Sequence, residues 1–209
     1  MKPDLEEVKA VYRIYKSIAQ GLDPENGLGG RLLYAGPLDE QNIRLLRAAN
    51  IAGAASLTVA EDPALLRKAL RDGAVDFFVT HLDEALRILK NEVRKKQPVA
   101  VGVHGDQPAV EAEMQERGVR ADLALAVALP ELNDAEFLAL TLPPGNTAFA
   151  AELDAAVWST LPAEDILNRR WYKLSPRYLG REFRNVRTLV SDAASVEHLR
   201  SWYQSTIQV

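Results

Sequence analysis

The sequence predicts an α/β protein with a doubly wound parallel sheet of about five strands, an N-terminal helix and a helical C-terminal extension. Between residues 31 and 127, short apolar or β-branched runs alternate with amphipathic stretches of helical length, a pattern typical of parallel βαβ units. The 209-residue chain is 47% hydrophobic and 26% charged, which is typical of a globular domain. Turn and capping residues fall at the junctions between the runs.

The predicted elements follow one another in a regular order. Leu5–Gln20 is expected to form an amphipathic helix, because its apolar residues recur at helical spacing. The glycine-rich stretch 21–30 that follows is interpreted as a flexible turn before the first strand. The strands are predicted at Arg31–Ala35, Ala55–Val59, Val75–Thr80, Pro98–Val103 and Asp122–Val127.

Capping residues support the helices between these strands. Asp62 followed by Pro63 predicts a helix start, with a capping carboxylate and a proline in the first turn. The spacing of Thr80 and Asp83 resembles a capping box. Two glycines placed just before strands, Gly73 and Gly118, are predicted to end helices with positive φ.

The segment TLPPGNT at 141–147 interrupts the pattern, and the sequence from Ala148 onward is typical of helices. Two domains are therefore predicted: 1–147 is the α/β domain with its N-terminal helix, and 148–209 is a helical extension packed on it. The extension contains a basic segment, 165–187, with seven basic and two acidic residues and interleaved aromatic residues. The favoured interpretation is a solvated helix face that pairs with the acidic remainder of the protein. Stacking on bases and binding of an anionic partner are the alternatives.

Composition excludes several classes of function. The chain has no cysteine, which excludes disulfides, thiolate zinc sites, iron–sulfur clusters and cysteine nucleophiles, and three histidines are too few for a His-rich metal site. A net charge of −4 argues against nucleic acid as a partner. With no apolar stretch of bilayer length and no signal-peptide core, a cytoplasmic location without membrane contact is expected.

Ligands of open parallel sheets bind beyond the carboxyl ends of the strands, at the crevice where the strand order reverses. If the first strand lies between the second and the fourth, residues 35–39 and 103–107 line that crevice. His104 is then a candidate general base or ligand contact, and a structural hydrogen bond at a strand-to-helix turn is the alternative. The other histidines are interpreted as a residue at a helix start, His81, and a solvated residue, His198.

The loop after the first strand is a poor cradle for a pyrophosphate group. Gly36 is followed by Pro37, which lacks an N–H donor, and by Asp39 and Glu40, which repel an anion. Standard dinucleotide binding is therefore disfavoured at this loop.

Four stretches in the first two thirds of the chain share their order and spacing with one enzyme family. They are GGRLLYAG at 29–36, AGAASLTVAEDPALLRKALRDGAVD at 52–76, LDEALRILKNEVRKKQPVAVGVHGD at 82–106 and ERGVRADL at 116–123. Together they resemble the central dinucleotide-binding domain of urocanase (urocanate hydratase). The resemblance implies a Rossmann-like fold, a tightly bound NAD that acts as an electrophile toward urocanate, and a homodimer.

The chain departs from the family at positions that hold the cofactor. The family's acidic residue for the ribose hydroxyls falls on Ala60 in strict register, with Glu61 one residue late, and the family's Gly-Asn after the fourth strand is Gly105-Asp106. Apolar residues at 123–132 replace a polar stretch of the family, and its active-site cysteine has no counterpart. The candidate cofactor-binding residues are Gly36, Glu61, His104, Gly105 and Asp106, with no catalytic residue or metal ligand assigned.

These departures predict a stand-alone urocanase-like Rossmann domain that does not hydrate urocanate and acts as a binding or regulatory module. NAD is then a cofactor by resemblance only. The alternative is an enzyme or binding protein for NAD(P), a nucleotide or a phosphosugar, which would bind in the crevice beyond the first and fourth strands.

Overall fold

A computed structural model describes residues 4–123 and 129–207 of the chain. The helices are α1 (Leu5–Ile18), α2 (Glu40–Ala52), α3 (Pro63–Asp72), α4 (Leu82–Lys95), α5 (Gln107–Glu116), α6 (Thr147–Thr160), α7 (Ile166–Tyr178) and α8 (Ala193–Ile207). The strands are β1 (Leu32–Pro37), β2 (Ala55–Ala60), β3 (Phe77–Val79), β4 (Val99–His104), β5 (Phe137–Thr141) and β6 (Val186–Val190).

In the described part of the chain, β1 to β4 form a parallel sheet with the order β1-β2-β4-β3. One core lies between this sheet and α1, α2 and α3, and a second core lies between the sheet and α4 and α5. Helices thus cover both faces, which explains why every residue of β2 is buried. The doubly wound α/β fold predicted from the sequence is confirmed.

The predicted positions of the first four strands are confirmed, although β3 is only three residues long. For the fifth, Leu123 forms an isolated parallel bridge with Leu33 of β1. Residues 124–127 of that predicted strand lie outside the described residues.

Most of the predicted helix ends are confirmed. Asp62 caps α3 by accepting a hydrogen bond from the Ala64 N–H at 2.7 Å, and Gly73 ends the helix with a φ of 77°. Gly118 likewise has a positive φ, 66°. The predicted capping box of α4 is wrong: the helix starts after His81, whose side chain makes no capping bond, and the Asp83 carboxylate binds the Arg117 guanidinium instead. A charged partner at the end of the neighbouring helix draws that carboxylate away from the backbone.

The glycine-rich loop before β1 packs closely instead of acting as a flexible turn. Gly27 has a φ of 65°, and a Cβ atom there would collide with the Ala52 carbonyl oxygen and come within 2.5 Å of the Arg170 guanidinium carbon. A Cβ at Gly29 would lie 2.5 Å from the Lys96 carbonyl oxygen. The glycines are therefore required for close approach of the loop to α2, α4 and α7.

The C-terminal extension, predicted as helical, also contains a strand. β6 pairs in antiparallel register with β5, which precedes the predicted boundary at residue 147. This small sheet packs against α6, α7 and α8. The domain boundary itself stays a prediction, with the β5–β6 pairing crossing it.

Trp171 of α7 joins the extension to the rest of the protein. Its side chain is fully buried, with its ring centroid 5.0 Å from that of Tyr12 and 5.3 Å from that of Tyr15. The Tyr12 hydroxyl donates to the Asn168 side-chain oxygen at 2.7 Å, and the Tyr15 hydroxyl donates to the Leu167 carbonyl oxygen at 2.8 Å. The N-terminal helix is thus fixed to α7 as well as to α2. Among the described residues, no helix is both long and apolar enough to cross a bilayer.

Candidate functional site

The strand order places the crevice between β2 and β4. The helix after β2, α3, packs on one face of the sheet, whereas the helix after β4, α5, packs on the other. Two neighbouring strands whose chains leave toward opposite faces open a crevice at their carboxyl ends. The prediction that the first and fourth strands flank the crevice is wrong, because β2 lies between β1 and β4.

Four of the five predicted site residues come together at this point. Glu61 follows β2, while His104 ends β4 and is followed by Gly105 and Asp106. The His104 ring nitrogen Nε2 lies 2.9 Å from the Glu61 carbonyl oxygen, and the Gly105 N–H donates to the Ala60 carbonyl oxygen at 3.1 Å. These bonds connect the two loops that line the crevice.

His104 is engaged in a structural hydrogen bond. A carbonyl oxygen can only accept, so Nε2 carries the proton that this bond requires. The side chain is half-buried at the strand end. Within the described part of the chain, Nδ1 is the ring nitrogen that remains for contact with a ligand.

Gly36 lies one strand away from this group, at the end of β1. It has a φ of 77° and follows an irregularity in the pairing with β2, between Tyr34 and Gly36. Its carbonyl oxygen accepts from the Thr58 hydroxyl at 2.9 Å. The loop after it is also closed, since the Asn42 side-chain amide donates to the Pro37 carbonyl oxygen at 2.8 Å. The N–H groups of Leu38 and Asp39, which could otherwise bind an anion, donate to the carbonyl oxygens of Val59 at 2.8 Å and Pro37 at 3.0 Å.

Of the four helices that follow strands of the parallel sheet at its carboxyl edge, α2, α3 and α5 are capped by aspartates, whereas α4 follows His81, whose side chain makes no capping bond to the described residues. Asp39 accepts from the Asn42 N–H at 2.7 Å, Asp62 from the Ala64 N–H at 2.7 Å, and Asp106 from the Ala109 N–H at 3.0 Å. Prolines in the first turns of α3 and α5 remove further donors. At α2, α3 and α5, a carboxylate thus already binds one N–H group of the helix N-terminus, and its negative charge opposes binding of a phosphate there.

A large groove lies at the opposite, amino edge of the sheet and has a volume of 1240 Å³. The loop 24–26, the segment 96–98 and the helices α6 and α7 line it, and we call it the basic groove. Its cationic side chains are Lys96, Arg169, Arg170, Lys173, Arg177, Arg184 and Arg187. Six of them come from the basic segment noted in the sequence, whereas the contribution of Lys96 had no sequence signal, because it depends on the end of α4 reaching α7.

These cations make few ion pairs with the protein itself. Within the described residues, Arg187 is the only basic residue of 165–187 with a carboxylate in reach, at 3.6 Å from Asp154. Arg169 lies 4.7 Å above the Trp158 ring, and Arg170 donates to the Ile51 carbonyl oxygen at 2.8 Å. The favoured interpretation is thus confirmed in part: Lys173, Arg177, Arg181 and Arg184 are exposed to solvent, but among the described residues the expected pairing with carboxylates is found at Arg187 alone.

The carboxyl edge also offers no cluster of metal ligands: across residues 4–123 and 129–207, no group of three histidine, aspartate or glutamate residues is placed to hold an ion.

Residues 25–126 match the family model described as the urocanase Rossmann-like domain. The matched segment includes β1 to β4 and both loops of the crevice, and it ends before α6 and α7, which form much of the basic groove. The chain therefore contains a urocanase Rossmann-like domain, as the sequence motifs predicted.

Proposed function

We propose that this protein is a non-catalytic binding module that has the urocanase-like Rossmann fold and does not use NAD or hydrate urocanate. The observation that supports the proposal best is the capping of α2, α3 and α5 by Asp39, Asp62 and Asp106. A Rossmann domain holds the pyrophosphate of a dinucleotide on free N–H groups at a helix N-terminus.

A dinucleotide would meet negative charge at this edge. Its phosphates would have to displace a capping carboxylate or lie beside one, and Glu40 and Glu61 are exposed nearby. Two like charges about 4 Å apart repel by about 1 kcal/mol in water and by more near a protein surface. Loss of the cap would add about 1 kcal/mol to the cost.

Urocanate hydration is disfavoured for separate reasons. The resemblance implies an active-site cysteine, and the chain has none. His104 uses Nε2 to connect the two crevice loops. A base at this position would therefore act through Nδ1 alone.

The test is a thermal-shift titration with NAD, combined with mass spectrometry of the purified protein under native conditions. We expect neither a shift nor a retained ligand. A ligand at a hundred times its dissociation constant stabilises by about 2.7 kcal/mol, or roughly 5–10 °C for a chain of this size. A shift of that order, or stoichiometric NAD in the purified protein, would overturn the proposal.

A variant without the three capping carboxylates tests whether these groups exclude phosphate from the helix N-termini. In a triple variant with D39S, D62S and D106S, the serines still cap the helices, but three negative charges are removed. If pyrophosphate stabilises this variant and not the native protein, the carboxylates are the cause of exclusion. If neither protein responds, the stronger barrier is that the Leu38 and Asp39 N–H groups of the Gly36 loop already donate to carbonyl oxygens of the protein.

The crevice between β2 and β4 supports a second candidate function, binding of a nucleotide or phosphosugar. The assembly of Glu61, His104, Gly105 and Asp106 at one point favours it. Such a ligand would use its hydroxyl groups as donors to His104 Nδ1 and Asp106, with its phosphate away from the Asp106 carboxylate. It would stabilise the native protein and lose that effect in His104→Ala, which also separates this candidate from non-specific binding.

A further inference from the structure

The basic groove concentrates positive charge on a protein whose net charge is −4. Lys173, Arg177 and Arg184 are exposed, and none of them lies within 4.0 Å of a carboxylate in the described part of the chain. We propose that this groove binds an acidic peptide segment of a partner protein. The site goes beyond the function proposed above, because it lies at the opposite edge of the sheet from the crevice.

The spacing of the cations fits an extended peptide. Arg169, Lys173 and Arg177 follow one another at four-residue steps, so they share one face of α7 and lie about 6 Å apart along the helix axis. In an extended chain, residues on the same side are about 6.6 Å apart. Acidic side chains at alternate positions would therefore meet successive cations.

The size of the groove argues for a chain rather than a single small anion. The three α7 positions span about 12 Å of helix axis, too far for one phosphate or carboxylate group to contact them all. Pro24, Pro98, Ile166 and Leu174 add apolar surface between the cations. The groove volume of 1240 Å³ also exceeds the usual range for small-molecule pockets, about 300–1,000 Å³.

The aromatic residues of the groove argue for a peptide rather than a nucleic acid. The Trp158 ring is covered by Arg169 on one face and meets the edge of Tyr172 at a centroid distance of 5.4 Å. Tyr172 and Tyr178 are buried, at 3% and 8% exposure. Single-stranded nucleic acids gain affinity by stacking bases on open aromatic rings, whereas here two of the rings are buried and the third, Trp158, is covered by Arg169 on one face.

The experiment measures binding of a fluorescein-labelled peptide of alternating glutamate and serine by fluorescence anisotropy. The native protein should bind it saturably, with affinity that falls as salt is added, because the contacts are between exposed charges. The variant K173Q/R177Q/R184Q should bind at least about tenfold more weakly, which is about 1.4 kcal/mol.

A matched variant controls for net charge. R67Q/R71Q/K90Q loses the same three positive charges from exposed positions on α3 and α4, away from the residues that line the groove. Its affinity should stay within about twofold of the native value, because distant exposed charges are screened. Thermal melts establish that both variants are folded.

Three results would overturn the proposal: no binding by the native protein, equal weakening in the two triple variants, or tighter binding of an oligothymidylate that carries the same charge as the peptide. The last result would assign the groove to single-stranded nucleic acid. Since NAD binding is measured separately, failure here and failure of the proposed function are distinguishable.

Discussion

The two edges of the parallel sheet differ in the sign of their charged side chains. At the carboxyl edge, the capping carboxylates of Asp39, Asp62 and Asp106 accept the N–H groups of three helix N-termini. At the amino edge, cations of α7 and the segment after it face a groove with few carboxylates. In a dinucleotide-binding sheet the anion lies at the carboxyl edge, where helix dipoles favour it. Here the positive potential has moved to the opposite edge, supplied by side chains instead of backbone.

The comparison shows that a fold does not by itself decide where its ligand binds. A Rossmann-like backbone offers helix N-termini at the carboxyl edge, but side chains of the same loops can occupy them first. An added helix can then create a charged surface at the other edge. Four predictions test this contrast, starting with the largest effect.

Alkaline titration should unfold the protein, since its tyrosine side chains are packed in the fold as neutral phenols. Burial raises the pKa of all six tyrosines above the ordinary value of 10.0, and at Tyr34 and Tyr172 the carboxylates of Glu111 and Asp154 raise it further. Their contribution to stability is therefore present below pH 10 and is lost as the pH rises beyond it. Phenolate absorbance should appear late and together with loss of circular dichroism. Ionisation of most tyrosines near pH 10 in a protein that stays folded would contradict this.

Gly27→Ala should destabilise the wall of the basic groove. The new Cβ would collide with the Ala52 carbonyl and the Arg170 guanidinium, and the positive φ adds strain, so we expect a loss of about 2–4 kcal/mol in the free energy of unfolding. Gly21→Ala is the control: its φ is also positive, 70°, but no atom of the non-adjacent residues in the described ranges lies within 4 Å of the added Cβ. It should cost about 1 kcal/mol. Equal losses in denaturant unfolding would show that the close approach is unimportant.

Substitutions at Asp154 should separate its contribution to folding stability from the effect of its charge on peptide binding in the basic groove. Asp154 accepts from the buried Tyr172 hydroxyl at 2.6 Å and pairs with Arg187. Asp154→Ala should cost about 1–3 kcal/mol in the free energy of unfolding, because the hydroxyl loses its acceptor. Asp154→Asn keeps an acceptor oxygen, so its stability should stay near the native value.

Both substitutions should strengthen binding of the acidic peptide, by about two- to threefold, since each removes a negative charge from the groove. Weaker binding by the asparagine variant would contradict the assignment of the groove to an acidic ligand.

Asp39→Ala should lose an N-cap and cost about 1 kcal/mol, whereas Asp39→Ser should stay within about 0.5 kcal/mol of the native protein. Both remove the same charge, so the difference between them in denaturant unfolding measures the hydrogen bond to the Asn42 N–H. If alanine and serine are equivalent, the carboxylate does not occupy the helix end, and the exclusion of anions from the carboxyl edge needs another cause.

The local features of the fold could be predicted from the sequence, and the pairing of distant segments could not. The strand positions and the caps at Asp62 and Gly73 follow from short patterns of apolar, capping and turn residues. The order of the strands depends on which segments pair across many residues, and local periodicity does not carry that information. For this reason the crevice was assigned to the wrong pair of strands, although four of the five candidate residues still meet there.

The second sheet was missed for a similar reason. β5 and β6 are short, far apart in the chain, and interrupted in pattern by Arg187. Each is a strand because the other is present, since a strand satisfies its backbone donors and acceptors through its partner.

The sequence by itself determined the α/β class, the urocanase-like segment and the acidic character of the loops after β1, β2 and β4. Only the tertiary structure decided that the basic segment faces a groove and that, among the residues the structure describes, most of its cations have no carboxylate within 4.0 Å. The physical reason is range: apolar periodicity and helix caps act over a few residues, whereas an electrostatic surface depends on which distant side chains the fold brings together.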